Sequence, residues 1–510
     1  MELKTRQIAG HPAGLFILFF TEMWERFSFY GMKALLIFYL TKYHFFSDIQ
    51  GNQIVGNYAA LVYALPILGG ILADRFLGFK KAVIFGASLL VLGHLGMAIE
   101  GAQAYYDAAG NIVRDEQAIQ TFYFSMGLII MGVGFLKPNI STIVGQLYAE
   151  DDPRRDSGFT IFYMGINLGS FLATLLCGWL GETYGWRYGF GAAGLGMLLG
   201  LVTFIWGQPL LMGKAEPKNP SVLKERSVIG INKEWFIYLL SFAGVFVCWQ
   251  LVQHHHVVGG ILAGTSVGVV LFLLWFIIRK CTPKEKGQMM VLLVLIVFTV
   301  VFWALFEQAY TSMNLFADRI IDRQTSWGEI NASQFLALNA LFIILLAPLF
   351  AWIWMRLARK KMEPSTPVKF AVGILFAGIG FGALVWGIQN ADELGKVAPF
   401  WLVLAYFLHT CGELSLSPVG LSAVTKLSVP RIVGFMMGVW FLATAGSEYI
   451  ASVLANIASV HTEGGIVKDI KSSLGAYTEL FSFLFYTGLT CGAVLLAISP
   501  LLKKYMHGVK

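Results

Sequence analysis

Apolar runs of about 20 residues or more follow one another along almost the whole chain, each long enough for a helix to cross the hydrocarbon of a bilayer. We read fourteen, at roughly residues 14–41, 52–75, 80–100, 119–147, 157–180, 189–208, 235–253, 257–280, 288–317, 334–357, 367–389, 397–425, 430–455 and 478–503. Such a pattern has few solutions. In hydrocarbon every backbone N–H and C=O must be satisfied within its own helix or by closure of a barrel. Barrel strands would be short and alternate in polarity, whereas these runs are long and continuously apolar. The expectation is an all-α polytopic membrane protein. Of the 510 residues, 57% are hydrophobic and 13% charged, against about a quarter charged in an average soluble domain. A soluble enzyme, a disordered chain and a secreted disulfide scaffold are excluded. The five cysteines are scattered with no CxxC spacing, so neither a disulfide nor a metal site is expected. The polar lead Met1–Pro12 runs straight into the first apolar run, which reads as a helix directing its own insertion rather than a cleavable signal.

Lysine and arginine set the orientation. With the N-terminus, the even-numbered loops and the C-terminus on one side, that side holds twenty-six of the 37, Lys4, Arg6, Lys218 and Lys510 among them. The other side holds eight, including Lys42 and Arg319, and three lie within apolar runs. This asymmetry predicts that both termini are cytoplasmic. It also accounts for the net charge of +7 as a topology signal facing membrane lipid, with no nucleic-acid partner.

A faint internal repeat is visible. Gly158-Phe159 opens the run at 157–180, and Gly434-Phe435 the run at 430–455, 276 residues on. Lys137-Pro138 and Ser417-Pro418 are 280 residues apart. Two six-helix halves at one offset fit a parallel-repeat transporter with its site at the interface of the halves, although chance similarity between Gly-rich helices gives the same pattern. The predicted division is an N-terminal bundle at 1–208, a linker with two extra spans (about 235–253 and 257–280) at 209–286, and a C-terminal bundle at 287–510.

Eight ionisable residues fall where lipid should be: Glu22, Glu25, Arg26, Lys33, Lys137, Glu307, Glu413 and Glu448. At about 2.5–3.5 kcal/mol each they cost on the order of 20–28 kcal/mol before any pairing. They need a water-filled cavity or partners; ion pairs that only fix helix packing are the alternative. With Glu22 as zero, Lys33, Arg26 and Tyr30 lie at about 20°, 40° and 80° around the first helix, and Glu25 borders them at about −60°. That face must point inward. Three cations cannot neutralise five carboxylates, and an unpaired carboxylate in low dielectric tends to take up a proton. At least one of Glu22, Glu25, Glu307 and Glu413 is expected to exchange a proton during turnover. Pro138 and Pro418 each remove a helix hydrogen bond, tolerated at membrane depth only where protein or water satisfies the freed backbone.

Several segments resemble a known family. Glu22-x-x-Glu25-Arg26-Phe-Ser-Phe-Tyr30-Gly is similar to the ExxER signature of the proton-dependent oligopeptide transporters. Gly70-Ile-Leu-Ala-Asp74-Arg75-Phe-Leu-Gly78-Phe-Lys80-Lys81 resembles the loop between helices 2 and 3 of the major facilitator superfamily. Phe162-Tyr163-Met-Gly-Ile-Asn167-Leu-Gly169 resembles the peptide transporter signature on helix 5. Gly134-Phe-Leu-Lys137-Pro-Asn, Phe302-Trp303-x-x-Phe-Glu307-Gln, Gly412-Glu413-x-x-x-Ser-Pro-Val-Gly420 and Trp440-Phe-Leu-Ala extend the match from residue 14 to about 450. Two extra central helices fit the bacterial branch.

The resemblance implies a major facilitator fold of two pseudo-symmetric six-helix bundles plus two extra helices. It implies import of di- and tripeptides with protons by alternating access, with no enzymatic activity and no cofactor beyond the coupling proton. By position, Arg26, Lys33 and Lys137 would meet the peptide carboxylate. Glu413, helped by Asn167 and Asn339, would meet its ammonium. Tyr30, Tyr63, Trp303 and Trp440 would line side-chain pockets, and Lys33–Glu307 and Lys137–Glu413 would be gate salt bridges. Proton coupling would fall to Glu22, Glu25, Arg26, Glu307 and Glu413. The charge chemistry suits this independently, because a zwitterion is oriented by a cationic wall facing an anionic one. Packing roles for Trp303, Trp440 and Tyr63, and helix-bridging roles for Asn167 and Asn339, stay open.

The sequence departs from the family in places. Lys33 stands where many members carry Arg, which weakens bidentate carboxylate capture. Phe29 replaces a frequent Tyr, Phe306 stands where some members have a second acid, and the second span has no histidine. Glu448 is unexpected. His254-His255-His256 joins the two central spans and reads as a solvated turn. Transport of nitrate or a drug-like anion on the same fold is the other reading, disfavoured by acids on both halves. A membrane enzyme or receptor would need a nucleophile–base pair, a metal cluster or a large soluble module, and no hydrophilic segment shows one.

Overall fold

The computed structural model describes residues 7–149, 152–217, 219–227, 230–326 and 328–509. Lys4, Arg6, Lys218 and Lys510, four of the charges counted for orientation, lie outside them. Among the described residues, fourteen long helices carry the chain. They are α1 (Ala13–Phe38), α2 (Asp48–Ala64, prolonged by a short helix Pro66–Leu72), α3 (Gly78–Met97), α4 (Glu116–Gln146) and α5 (Arg155–Tyr184). Next come α6 (Trp186–Trp206), α7 (Lys233–Gln253), α8 (His255–Lys280), α9 (Pro283–Phe306) and α10 (Ala337–Arg359). The chain ends with α11 (Thr366–Gln389), α12 (Pro399–Leu427), α13 (Val433–Ala455) and α14 (Ile470–Tyr505). The described strands, two residues each, form four hairpins, one just ahead of α1 and three in connections between helices.

Among the described residues, 12 helical stretches are long and apolar enough to cross a membrane. Two local facts reconcile that number with fourteen. α1 carries Glu22, Glu25, Arg26 and Lys33, too many charges for such a stretch. Asp48–Met97 runs as one stretch of 50 residues, yet Gly78 turns the chain between α2 and α3 at φ +73°, a conformation glycine adopts without steric cost.

Local chemistry starts the helices where apolar runs begin. Asp115 and Asn232 accept from the backbone N–H of Ala118 and Trp235. Thr282 and Glu285 form a reciprocal capping box with Pro283 in the first turn of α9. The run expected at 288–317 is not one helix. α9 ends at Phe306, a 3₁₀ turn covers Glu307–Tyr310, and a short helix resumes at Ser312–Arg319. Side chains satisfy the break: Gln308 Nε2 donates to Ala451 O (2.9 Å), and Ser312 Oγ donates to Gln308 Oε1 (2.6 Å).

Packing divides the chain into two compact units. The first comprises residues up to Tyr39 with Leu61–His254; the second comprises Leu40–Ala60 with His255–Lys510. Within the first, α1 packs on α5 and α6, and α3 packs on α4 and α6. Within the second, α9 packs on α13 and α14, and α11 packs on α12 and α14. The same graph thus appears twice, shifted by eight helices, with α7 and α8 outside it. α7 joins the first unit against α4, where Phe124 meets Phe246, and its Glu234 pairs with Lys81 of α3 (2.7 Å). α8 joins the second against α13, where Phe272 meets Phe435. Trp235, Leu239, Phe242, Val267, Leu271 and Trp275 on these two helices stay exposed, as lipid-facing side chains must.

The histidine run departs from the expected solvated turn. His254 and His256 are exposed, but His255 is buried. Its Nδ1 lies 2.8 Å from Asn57 Oδ1, and its ring stacks on Tyr449 at 4.3 Å. The hydrogen bond and the aromatic face offset the hydration the ring gives up.

Candidate functional site

In the first unit the charged face of α1 is buried: Glu22 is 4% exposed, Glu25 0%, Arg26 3% and Lys33 2%. Close approach by α5 buries it. A Cβ at Gly169 would collide with Met23 O and crowd Arg26, so glycine there lets the two backbones meet, as small residues do between membrane helices. Arg26 is shared by two acids. It binds Glu25 through both Nε and Nη2 (Nη2–Oε1 2.6 Å), and its Nε lies 3.2 Å from Glu22 Oε1. Its guanidinium also sits 5.1 Å from the Phe29 ring, a contact that needs no phenol hydroxyl. Glu22 Oε2 is buried and has no hydrogen-bond partner. A buried acceptor left open is a place for a proton or a water.

Lys137 lies on α4 beside Pro138, and its Nζ stands 4.2 Å from the centre of the Tyr63 ring on α2, a cation–π contact that compensates part of its lost hydration. Helix α4 continues through Pro138. Tyr30 and Tyr63 are half-buried. Asn167 on α5 is buried and donates to Tyr163 O one turn back (3.1 Å). It belongs to the first unit, whereas Asn339 and Glu413, the other members of the expected ammonium set, belong to the second.

In the second unit Glu413 on α12 is 9% exposed. Asn339 on α10 donates from Nδ2 to Glu413 Oε2 (2.9 Å) and to Thr410 Oγ1 (3.1 Å). The structure therefore unites Asn339 with Glu413 and adds Thr410, which sequence reasoning missed. A threonine in an apolar helix usually satisfies itself on its own backbone, and Thr410 does bond Tyr406 O, so the sequence carries no signal of its second role. Glu307 is buried where α9 gives way to the 3₁₀ turn. Trp303 is half-buried, edge-on to Phe306 at 5.3 Å. Trp440 is buried with its indole over Gly420, as a packing aromatic would be. Glu448 is buried on α13.

Arg319, counted with the charges on the side opposite the termini, ends the short helix Ser312–Arg319. It is 8% exposed and forms a bidentate pair with Asp48, both bonds 2.7 Å, and Asp48 also accepts from Val460 N (3.1 Å). Lys42, counted on that side too, pairs with Asp318 (2.6 Å). Both pairs tie residues of 40–60 into the second unit. Chemically, the first unit offers cations held beside acids, and the second an acid held by amide and hydroxyl dipoles.

A family model described as PTR2: POT family matches residues 80–477. The chain is 38% identical over 98% of its length to the uncharacterized transporter YclF of Bacillus subtilis, covering 96% of that protein. It is 32% identical to a di-/tripeptide transporter of Lactococcus lactis subsp. cremoris, covering 98% of each chain. Among solved structures, a mutant of a peptide transporter POT in complex with alafosfalin matches with a TM-score of 0.82 at 35% identity, over 99% of this chain and 98% of that one.

Proposed function

The chain belongs to the POT family, and we propose that it is a proton-coupled symporter importing di- and tripeptides across the cytoplasmic membrane by alternating access. The observation that carries the substrate reading is the Asn339–Glu413 pair: a buried carboxylate with a neutral amide as its partner in the second unit. A buried anion without a cation is costly, and a peptide ammonium supplies one. The peptide carboxylate goes to Arg26, Lys33 and Lys137, with Asn167 assisting at the amino end and Tyr30, Tyr63, Trp303 and Trp440 receiving side chains.

In the proposed cycle the six-helix bundles 1–208 and 287–510 are the moving bodies, and 209–286 connects them. Protons from outside neutralise carboxylates of the gate pairs Lys33–Glu307 and Lys137–Glu413, and the freed cations admit peptide. The peptide's two ends then favour closure. Inward release follows deprotonation through Glu22, Glu25 and Arg26, where the open Glu22 Oε2 supports a role as proton carrier. The lysine and arginine asymmetry supports both termini on the cytoplasmic side, facing anionic lipid. Labelled dialanine uptake into liposomes, with unlabelled peptide or nitrate as competitor, tests the substrate. Competition by dialanine and indifference to nitrate is the expected result; competition by nitrate alone would replace the reading with anion transport.

A further inference from the structure

Three hydrogen bonds meet at the corner of α10 and α12. Thr410 Oγ1 donates its only proton to Tyr406 O (2.8 Å), which leaves the hydroxyl as an acceptor toward anything else. Asn339 Nδ2 meets that oxygen at 3.1 Å and Glu413 Oε2 at 2.9 Å. Two acceptors on one side fix which end of the amide faces them. The NH₂ must point at α12, because reversal would set Asn339 Oδ1 against the carboxylate oxygen. The carbonyl Oδ1 therefore points away, and Asn339 is only half-buried, so this oxygen has room for a donor.

The carboxylate alone cannot hold that orientation. When Glu413 takes up a proton it becomes a donor, and an amide held only by Glu413 would be free to turn its carbonyl toward it. Thr410 does not change its character with that proton. It is fully buried, and its hydroxyl proton stays on the helix backbone. The other titratable groups bearing on this corner do not supply a substitute. Glu307 at the end of α9 is the other acid acting on Glu413, and His409 on α12 has its Nε2 against Ala377 O (3.1 Å) between Phe306 and Phe381.

We propose that Thr410 is a positioning residue that keeps the Asn339 carbonyl presented to the substrate's ammonium in both protonation states of Glu413, so that a free amino terminus is required throughout the cycle. This rests on the peptide reading above. The test is labelled dialanine uptake by the full chain in liposomes, with unlabelled dialanine and N-acetyl-dialanine as competitors at acid and neutral external pH. Wild type should prefer the free amine at both. Thr410→Val, equal in shape but without the acceptor, should lose about fivefold to tenfold of that preference, the size of one hydrogen bond. The loss should be greater at acid pH and appear in KM rather than in the maximal rate. Thr410→Ser should restore the preference, which a merely structural role of the methyl would not allow. If Thr410→Val does not fold, Thr410→Ala carries the same expectation. Unchanged preference in a folded variant, or equal loss in Thr410→Ser, overturns the inference alone. A wild type that takes up no dialanine overturns the substrate reading and this inference with it.

Discussion

Two buried acidic corners of this molecule are built on opposite plans. On α1, Glu22 and Glu25 share the permanent charge of Arg26. At the α10–α12 corner, Glu413 is held by Asn339, itself held by Thr410, and among the described residues of that unit no cation pairs with it. A fixed cation ties its acids in place by charge, at the expense of geometric freedom. Dipoles keep an acid in place while leaving its charge to be answered by something that arrives. The first plan suits a group that anchors and passes protons, and the second suits a receptor for an ammonium.

The largest effect should come from removing the shared cation. Arg26→Met strands two buried carboxylates, and breaking such a set costs about 3–5 kcal/mol; thermal unfolding in detergent should show a marked loss of stability. Near-native stability would erase the distinction between the corners. Glu413→Gln keeps shape and the amide contact, so stability should shift by under about 1 kcal/mol, while uphill uptake is lost and exchange of preloaded peptide persists. Full concentrative uptake in that variant would contradict the cycle.

The two acids on α1 should also separate. Glu25→Gln breaks a bidentate contact and should cost about 1.5–3 kcal/mol. Glu22→Gln touches the acid with an open oxygen, so it should cost less stability and act mainly on the pH dependence of uptake. Equal unfolding shifts would show that the open oxygen carries no meaning. The smallest effect belongs to Tyr63→Leu, which removes the ring beneath Lys137. About 0.5–1 kcal/mol is at stake, read as a modest rise in KM for dialanine.

The architecture was legible because membrane burial writes itself into long apolar runs, and the repeat because two offsets in Gly and Pro positions coincide with a packing graph that recurs eight helices later. The α1 face was legible too, since helical periodicity alone collects Glu22, Arg26 and Lys33. What escaped has a common cause. The break at Glu307–Thr311 interrupts an apolar run with no glycine or proline to mark it, and it is Gln308 and Ser312 bonding that makes it tolerable. Arg319 finds Asp48 across 271 positions of sequence, and His255 finds Asn57 across 198. Partners that distant leave no local pattern, and Thr410 satisfies a local pattern while serving a distant one.

The most direct measurement is accumulation of labelled dialanine in liposomes containing the full chain, with and without an inward proton gradient. Proton coupling predicts transient accumulation above the external concentration under the gradient, abolished by a protonophore. Uptake that reaches the same level and rate with no gradient and no membrane potential would contradict it.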